Sequence, residues 1–172
     1  PGRVLPAPGR WGRGCKDGGV RRTALLAPLL VIALTVGCSN EPADMPTACL
    51  EGPGALEKAL QRAPQPARLE GRIPISDCLV PEQPAGDLME FGTDAVEVAT
   101  KLGRQARDPG ARGIAAGIRA GYLVGALERG ANDTGGIHAI LLDRIRNAAT
   151  NGLTGTARTH FEIGYEAGQR LG

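Results

Sequence analysis

Residues 111–129 read ARGIAAGIRAGYLVGALER, and this stretch is the most informative one for the fold of the chain. Its four glycines recur at every fourth position, and Ile114, Ile118 and Tyr122 form the adjoining ridge of the predicted helix. Only a thin stripe with Arg112 and Arg119 is clearly polar. A helix that is apolar almost all round is a buried one. The glycines are Gly113, Gly117, Gly121 and Gly125.

Glycine inside a helix costs roughly 1 kcal/mol relative to alanine, so this spacing predicts a neighbouring helix at short distance. A matching motif lies in the predicted helix over residues 156–171, where Gly164, Tyr165 and Gly168 repeat the pattern Gly121, Tyr122, Gly125. We expect the two helices to pack on each other or on a shared partner. Packing within the chain, a homo-oligomer seam and insertion into a bilayer all stay open. Arg112 and Arg119 argue against the bilayer.

Two further helices complete a predicted all-α bundle of four main helices over residues 85–172. Residues 85–107 place apolar side chains at steps of three and four, with Glu97 and Lys101 able to pair on the polar face. Asp133 or Thr134 is expected to cap the helix over residues 137–150. The apolar face predicted for that helix consists of Ile137, Ile140, Leu141, Ile145 and Ala148.

Residues 49–84 are predicted to form an N-terminal arm closed by a disulfide between Cys49 and Cys78. This bond would contribute on the order of 3 kcal/mol by restricting the unfolded chain. A metal site would need further ligands, and the Cys-x-x-Cys spacing of a redox pair is missing. Within the arm, residues 54–63 predict a short helix and residues 72–75 an extended segment.

The N-terminal part has the pattern of an export signal. Arg21 and Arg22 precede an apolar run over residues 24–37, which is too short for a spanning helix and contains Pro28. Residues 34–38 read LTVGC, which resembles the lipobox of bacterial lipoproteins. The resemblance implies cleavage before Cys38 and attachment of diacylglycerol to its sulfur. A core helix, a plain secretory signal and a twin-arginine signal are the alternative interpretations.

The resemblance divides the chain into a leader over residues 1–37 and an exported part. Residues 38–48 are polar and rich in small residues and proline, and they are predicted to be a flexible tether. No Met occurs before Met45, so we raise the hypothesis that translation begins at a GUG codon for Val20. Residues 1–19 would then lie outside the natural product.

The charge of the chain differs between these two parts. The whole chain has 20 basic and 18 acidic side chains, of which six basic and one acidic precede Cys38. The exported part therefore has 14 basic and 17 acidic groups, a net charge of −3. A basic patch with aromatic readers, as nucleic-acid binding requires, is not indicated.

The sequence lacks the common catalytic and cofactor-binding motifs, so we expect neither an enzyme nor a cofactor. Nucleophile elbows, phosphate-binding loops and dinucleotide fingerprints do not occur in the sequence. His138 and His160 lie near apolar helix faces, where a histidine is more often a structural residue than a ligand. Two metal sets are conceivable without matching a known spacing. One is Asp133, His138 and Asp143, and the other is His160, Glu162 and Glu166.

These features together predict a non-enzymatic lipoprotein of the bacterial envelope, held at the inner or outer membrane by lipid on Cys38. Its domain would be a structural or interaction module, with a protein partner or a second copy as the expected contact. One alternative is a lipoprotein that binds a small or apolar ligand between its helices. A third hypothesis is an enzyme that uses His160 with Glu162 or Glu166.

Overall fold

A computed structural model describes residues 44–132 and 134–172 of the chain. The leader, Cys38 and Asp133 lie outside the described residues, so the expectations for them stay predictions. The described part is mostly helical, which confirms the predicted all-α class. Its helices are α1 (Pro53–Leu60), α2 (Ala85–Gln105), α3 (Ala111–Gly130), α4 (Ile137–Thr150) and α5 (Gly155–Leu171). Two short strands, β1 (Arg68–Leu69) and β2 (Ile73–Pro74), form an antiparallel hairpin.

Helix α3 is the centre of the fold. It has its most extensive contact with α5 and also packs on α2, on α4 and on the 3-10 turn Ile75–Cys78. Every residue from 120 to 127 is buried, because the helix has apolar or small side chains on nearly all sides. The core is aliphatic, and its aromatic members are Phe91, Tyr122 and Phe161.

The N-terminal arm is closed by the predicted disulfide between Cys49 and Cys78, which confirms this pairing. Helix α1 directs Leu56, Ala59 and Leu60 into the core, as its apolar spacing predicts. The arm is also bonded to the bundle at Tyr122, whose fully buried hydroxyl accepts a hydrogen bond from the Ala67 backbone amide at 3.0 Å. Tyr122 of α3 therefore holds the arm against the bundle.

The packed body begins earlier than the tether prediction allowed. Met45 and Ala48 are buried, and Thr47–Leu50 forms a 3-10 turn. The prediction of a flexible segment as far as residue 48 is therefore wrong for residues 45–48. Two apolar side chains in a polar segment are enough to hold it against the core.

Helix α4 buries a different face from the predicted one. Ile137 and Ile140 are exposed, whereas His138 and Ala149 lie inside with Leu141 and Ile145. Contacts with the neighbouring helices determine which face of α4 is buried, and the distribution of apolar residues along α4 itself does not.

The predicted cap of α4 by Thr134 and the predicted pair of Glu97 with Lys101 were both wrong, whereas a cap by Asp133 lies outside the described residues. Helix α4 begins after Gly136 without a side-chain cap, and the Thr134 hydroxyl donates to the Ala131 carbonyl instead. Lys101 pairs with Glu57 of α1 at 2.7 Å and not with Glu97. Since α1 packs beside α2, a carboxylate from another helix reaches the ammonium group.

Candidate functional site

Helices α3 and α5 pack in parallel with their main chains in direct contact. A Cβ atom added to Gly121 would overlap the Phe161 carbonyl oxygen and lie 2.7 Å from the Tyr165 nitrogen. A Cβ on Gly125 would lie 3.0 Å from the Gln169 nitrogen. We call this contact the glycine interface; its members are Gly117, Gly121, Gly125, Gly164 and Gly168.

The contact is reciprocal, because glycines of α5 meet the main chain of α3. A Cβ on Gly164 would lie 2.9 Å from the Ile118 Cα, and one on Gly168 would lie 2.8 Å from the Ala126 nitrogen. Backbone atoms fill the space on both sides. The glycine interface therefore has no room for a ligand between the helices.

Gly113 does not belong to this interface. The first atoms that its Cβ would meet are the carbonyl oxygens of Asp108 and Ala106, in the turn between α2 and α3. Gly117 stands at the edge, with the Cβ of His160 at 3.1 Å. Of the four glycines predicted to form one ridge on α3, three therefore face α5 and one faces the preceding turn.

A polar cluster connects α3, α4 and α5 beside the glycine interface. Glu128 Oε2 accepts a hydrogen bond of 2.6 Å from the Tyr165 hydroxyl and one of 3.3 Å from Gln169. Glu128 Oε1 accepts a hydrogen bond from Arg146, whose guanidinium carbon lies 5.8 Å from the centre of the Tyr165 ring. We call these four residues the Glu128 cluster.

The electrostatics of the Glu128 cluster follow from its one carboxylate. The hydrogen bond to Glu128, followed by burial, raises the pKa of Tyr165 above its usual value. The hydrogen bond to Glu128 is also the main cause that raises the pKa of Arg146. Both oxygens of Glu128 are engaged, and the side chain is only 15% exposed. This geometry connects three helices and leaves the carboxylate no oxygen without a protein donor.

The structure separates the two histidines. His138 is buried with 6% exposure, its Nε2 has no hydrogen-bond partner among the described residues, and burial lowers its pKa. It lines a surface depression of about 340 Å³ together with Gln83, Leu88 and Ile137. His160 is half-buried at the edge of the glycine interface.

The predicted metal and catalytic sets do not form a site in the described part of the chain. Glu162 and Glu166 are exposed and lie 3.9 Å from Arg158 and Arg170, their i,i+4 neighbours. Among the described residues, no group of three His, Cys, Asp or Glu side chains could hold a metal ion. Asp133 lies outside those residues.

An apolar surface that sequence reasoning missed lies at one end of the bundle. Met89, Ile137 and Ile140 are the most exposed large apolar side chains of the described residues, at 72%, 62% and 64%. We call them the apolar end patch. In the described ranges, no helix has the length and apolarity to cross a membrane.

Comparison with protein families, with curated proteins and with solved structures found no match to the chain.

Proposed function

We propose that this chain is an envelope lipoprotein, anchored by an acylated Cys38, whose helical domain is a non-enzymatic structural or interaction module. The observation that carries the proposal is the cysteine usage. Cys38 ends an apolar run with a basic flank, as in a lipobox. Cys49 and Cys78, the other two cysteines of the exported part, form a buried disulfide. Disulfides persist in oxidising compartments outside the cytosol, which agrees with export.

The interior supports a module more than an enzyme. The Glu128 cluster has perturbed pKa values, but its carboxylate is saturated by Tyr165, Gln169 and Arg146. Perturbed groups of this kind occur in structural ion-pair networks as well as in active sites. Here the groups bond to one another across three helices, so we assign them to stability.

A ligand between α3 and α5 receives no support from the geometry, since main-chain atoms occupy the glycine interface. The same closeness argues against a homo-oligomer seam at these glycines, because α5 of the same chain already covers them. Partner contacts are therefore expected on the outer surface of the bundle.

Metabolic labelling with a palmitate analogue tests the proposal. The wild-type chain should take up the label and sediment with membranes, and Cys38→Ser should lose both properties. A Cys49→Ser, Cys78→Ser double variant is the matched control, because it removes two other cysteines and should keep the label. Equal labelling of Cys38→Ser and wild type would reject the proposal.

A further inference from the structure

The apolar end patch lies on one continuous surface formed by α2 and α4. These two helices run parallel, because Gly92 lies against Leu141 and Gly103 lies against the Ala148 and Ala149 carbonyls. Met89 and Ile137 each stand about one turn before this Gly92–Leu141 contact. Both are at the same level of the bundle, and both are exposed.

Helical geometry puts these side chains on the outer side of the α2–α4 contact. At 100° per residue, Met89 lies about 60° around α2 from Gly92, and Ile137 lies about 40° around α4 from Leu141. The inner side of the same contact is the core, where Leu88 and Phe91 are buried. Met89 and Ile137 are exposed and lie next to this contact, so both must lie on its outer side. Ile140 extends that surface along α4.

The chain enters the folded body at the same end. Met45 is the first buried residue of the described part, and its sulfur accepts a hydrogen bond from Gln83 at 3.7 Å. Gln83 in turn lines the 340 Å³ depression that Ile137 and His138 also line. The first packed residue thus contacts a side chain that lines the same depression as Ile137, one member of the apolar end patch.

The length of the connection limits how far the anchor lies from this end. Seven peptide units separate Cys38 from Met45, and an extended chain of that length spans at most about 25 Å. Acyl chains on Cys38 enter the bilayer within that distance. The end of the bundle near Met45 is therefore the end that a membrane surface can reach first.

We propose that the apolar end patch docks on the surface of the lipid bilayer that holds the acylated Cys38. This inference rests on the proposed lipid anchor. Transfer of Met and Ile side chains from water to the acyl region of a bilayer is favourable in free energy. The lipid anchor also holds the domain close to the bilayer, which raises the effective concentration for this contact. The exposed charged residues next to the patch in sequence include the acidic Glu90 and Asp143 and the basic Arg144, so we expect apolar contact and not attraction to lipid headgroups to drive the docking.

Single tryptophans test the orientation. The only Trp of the chain is Trp11, which the predicted cleavage before Cys38 removes, so an introduced Trp reports on one position. Ile140→Trp and Met89→Trp place reporters in the patch. Ile163→Trp is the matched control, because Ile163 is also an exposed isoleucine, at 46%, on α5. All three variants are made in the full chain, purified after processing and reconstituted into phosphatidylcholine vesicles with bromine-labelled acyl chains.

We expect both patch reporters to shift their emission to the blue, to be quenched by the brominated lipid and to resist acrylamide. The Ile163→Trp reporter should stay accessible to acrylamide and unaffected by bromine. Thermal melts of each variant identify any that fails to fold, and the second patch reporter then decides the result.

Two results would overturn the inference while leaving the lipid anchor intact. If vesicle-bound protein shows all three reporters equally exposed, the patch does not face the bilayer. If the patch reporters resist acrylamide but bromine does not quench them, a second copy of the chain covers the patch. Protein that lacks acyl chains and does not float with vesicles rejects the proposed function itself, and the inference with it.

Discussion

The glycine interface makes a sharp prediction for the substitution Gly121→Ala. The new Cβ would overlap the Phe161 carbonyl oxygen and stand 2.7 Å from the Tyr165 nitrogen. These are main-chain atoms, so no side-chain rotation can relieve the contact. Helix α5 must move by about 1 Å or more to relieve the overlap, and its matching contacts at Gly125 and Gly164 loosen.

Two opposing effects set the size of the change. Replacing glycine by alanine inside a helix stabilises the helix by about 1 kcal/mol. Overpacking in a close interface costs roughly 1–3 kcal/mol or more. Here the overlap involves the backbone, so we expect the upper part of that range and a net loss of about 2 kcal/mol. For a domain of this size the melting temperature should fall by roughly 5–10 °C.

Urea and thermal unfolding followed by circular dichroism measure this loss against two controls. Gly54→Ala in α1 meets no atom within 4 Å, so it should leave stability unchanged or raise it by up to about 1 kcal/mol. The nearest atom to a Cβ on Gly117 is the Cβ of His160 at 3.1 Å, and the next contacts are ordinary van der Waals contacts, so Gly117→Ala should fall between the two. Gly121→Ala combined with Gly164→Ala should cost less than the sum, because both displace the same helix. If Gly121→Ala is as stable as Gly54→Ala, helices α3 and α5 do not pack through their main chains at Gly121.

Three further predictions concern the disulfide, the buried histidine and the Glu128 cluster. Replacing Cys49 and Cys78 together by Ser should lower the free energy of unfolding by about 3 kcal/mol, and reducing agent should then have no further effect. His138 has a lowered pKa when folded, so stability should be complete above its unfolded pKa of about 6.5 and decline as pH falls below it. The slope is at most about 1.4 kcal/mol per pH unit, and a His138→Leu variant with an equal slope between pH values of about 5 and 7 would contradict this. Glu128→Gln should lower the pKa of Tyr165 in a near-ultraviolet titration and cost about 1–2 kcal/mol; an unchanged Tyr165 titration would mean that Glu128 is not its partner.

The centre of the fold was predictable from sequence because its signal is local. Glycines four residues apart lie on one side of a helix, and an interior glycine is costly unless something packs on it. The repeated motif around Tyr122 and Tyr165 also indicated which two helices meet. The pairing of Cys49 with Cys78 was predictable for a different reason, since these two cysteines remain when Cys38 is predicted to bear lipid, and a pair of cysteines favours one bond if the chain is exported.

The orientation of α4 was not predictable, because distant residues determine it. From the sequence alone, the apolar side chains of Ile137 and Ile140 are predicted to face the core. In the fold, Leu141 meets Gly92 of α2 and Arg146 reaches Glu128 of α3, so the helix turns its isoleucines outward. The apolar end patch was missed for the same reason.

The Glu128 cluster was missed because its members come from three helices. One signal was present in the sequence: Glu128 follows an apolar run in a helix that is otherwise buried. A carboxylate in that position needs donors, but nothing local names Arg146 or Tyr165 as those donors. Pairings of this kind become visible only when the tertiary contacts are known.

Intact mass spectrometry of the protein from the membrane fraction tests whether Cys38 carries a lipid anchor. We predict a chain that begins at Cys38 and carries the added mass of a diacylglycerol, while Cys38→Ser lacks this mass. A soluble protein that still carries the residues before Cys38 would contradict both the export signal and the proposed function.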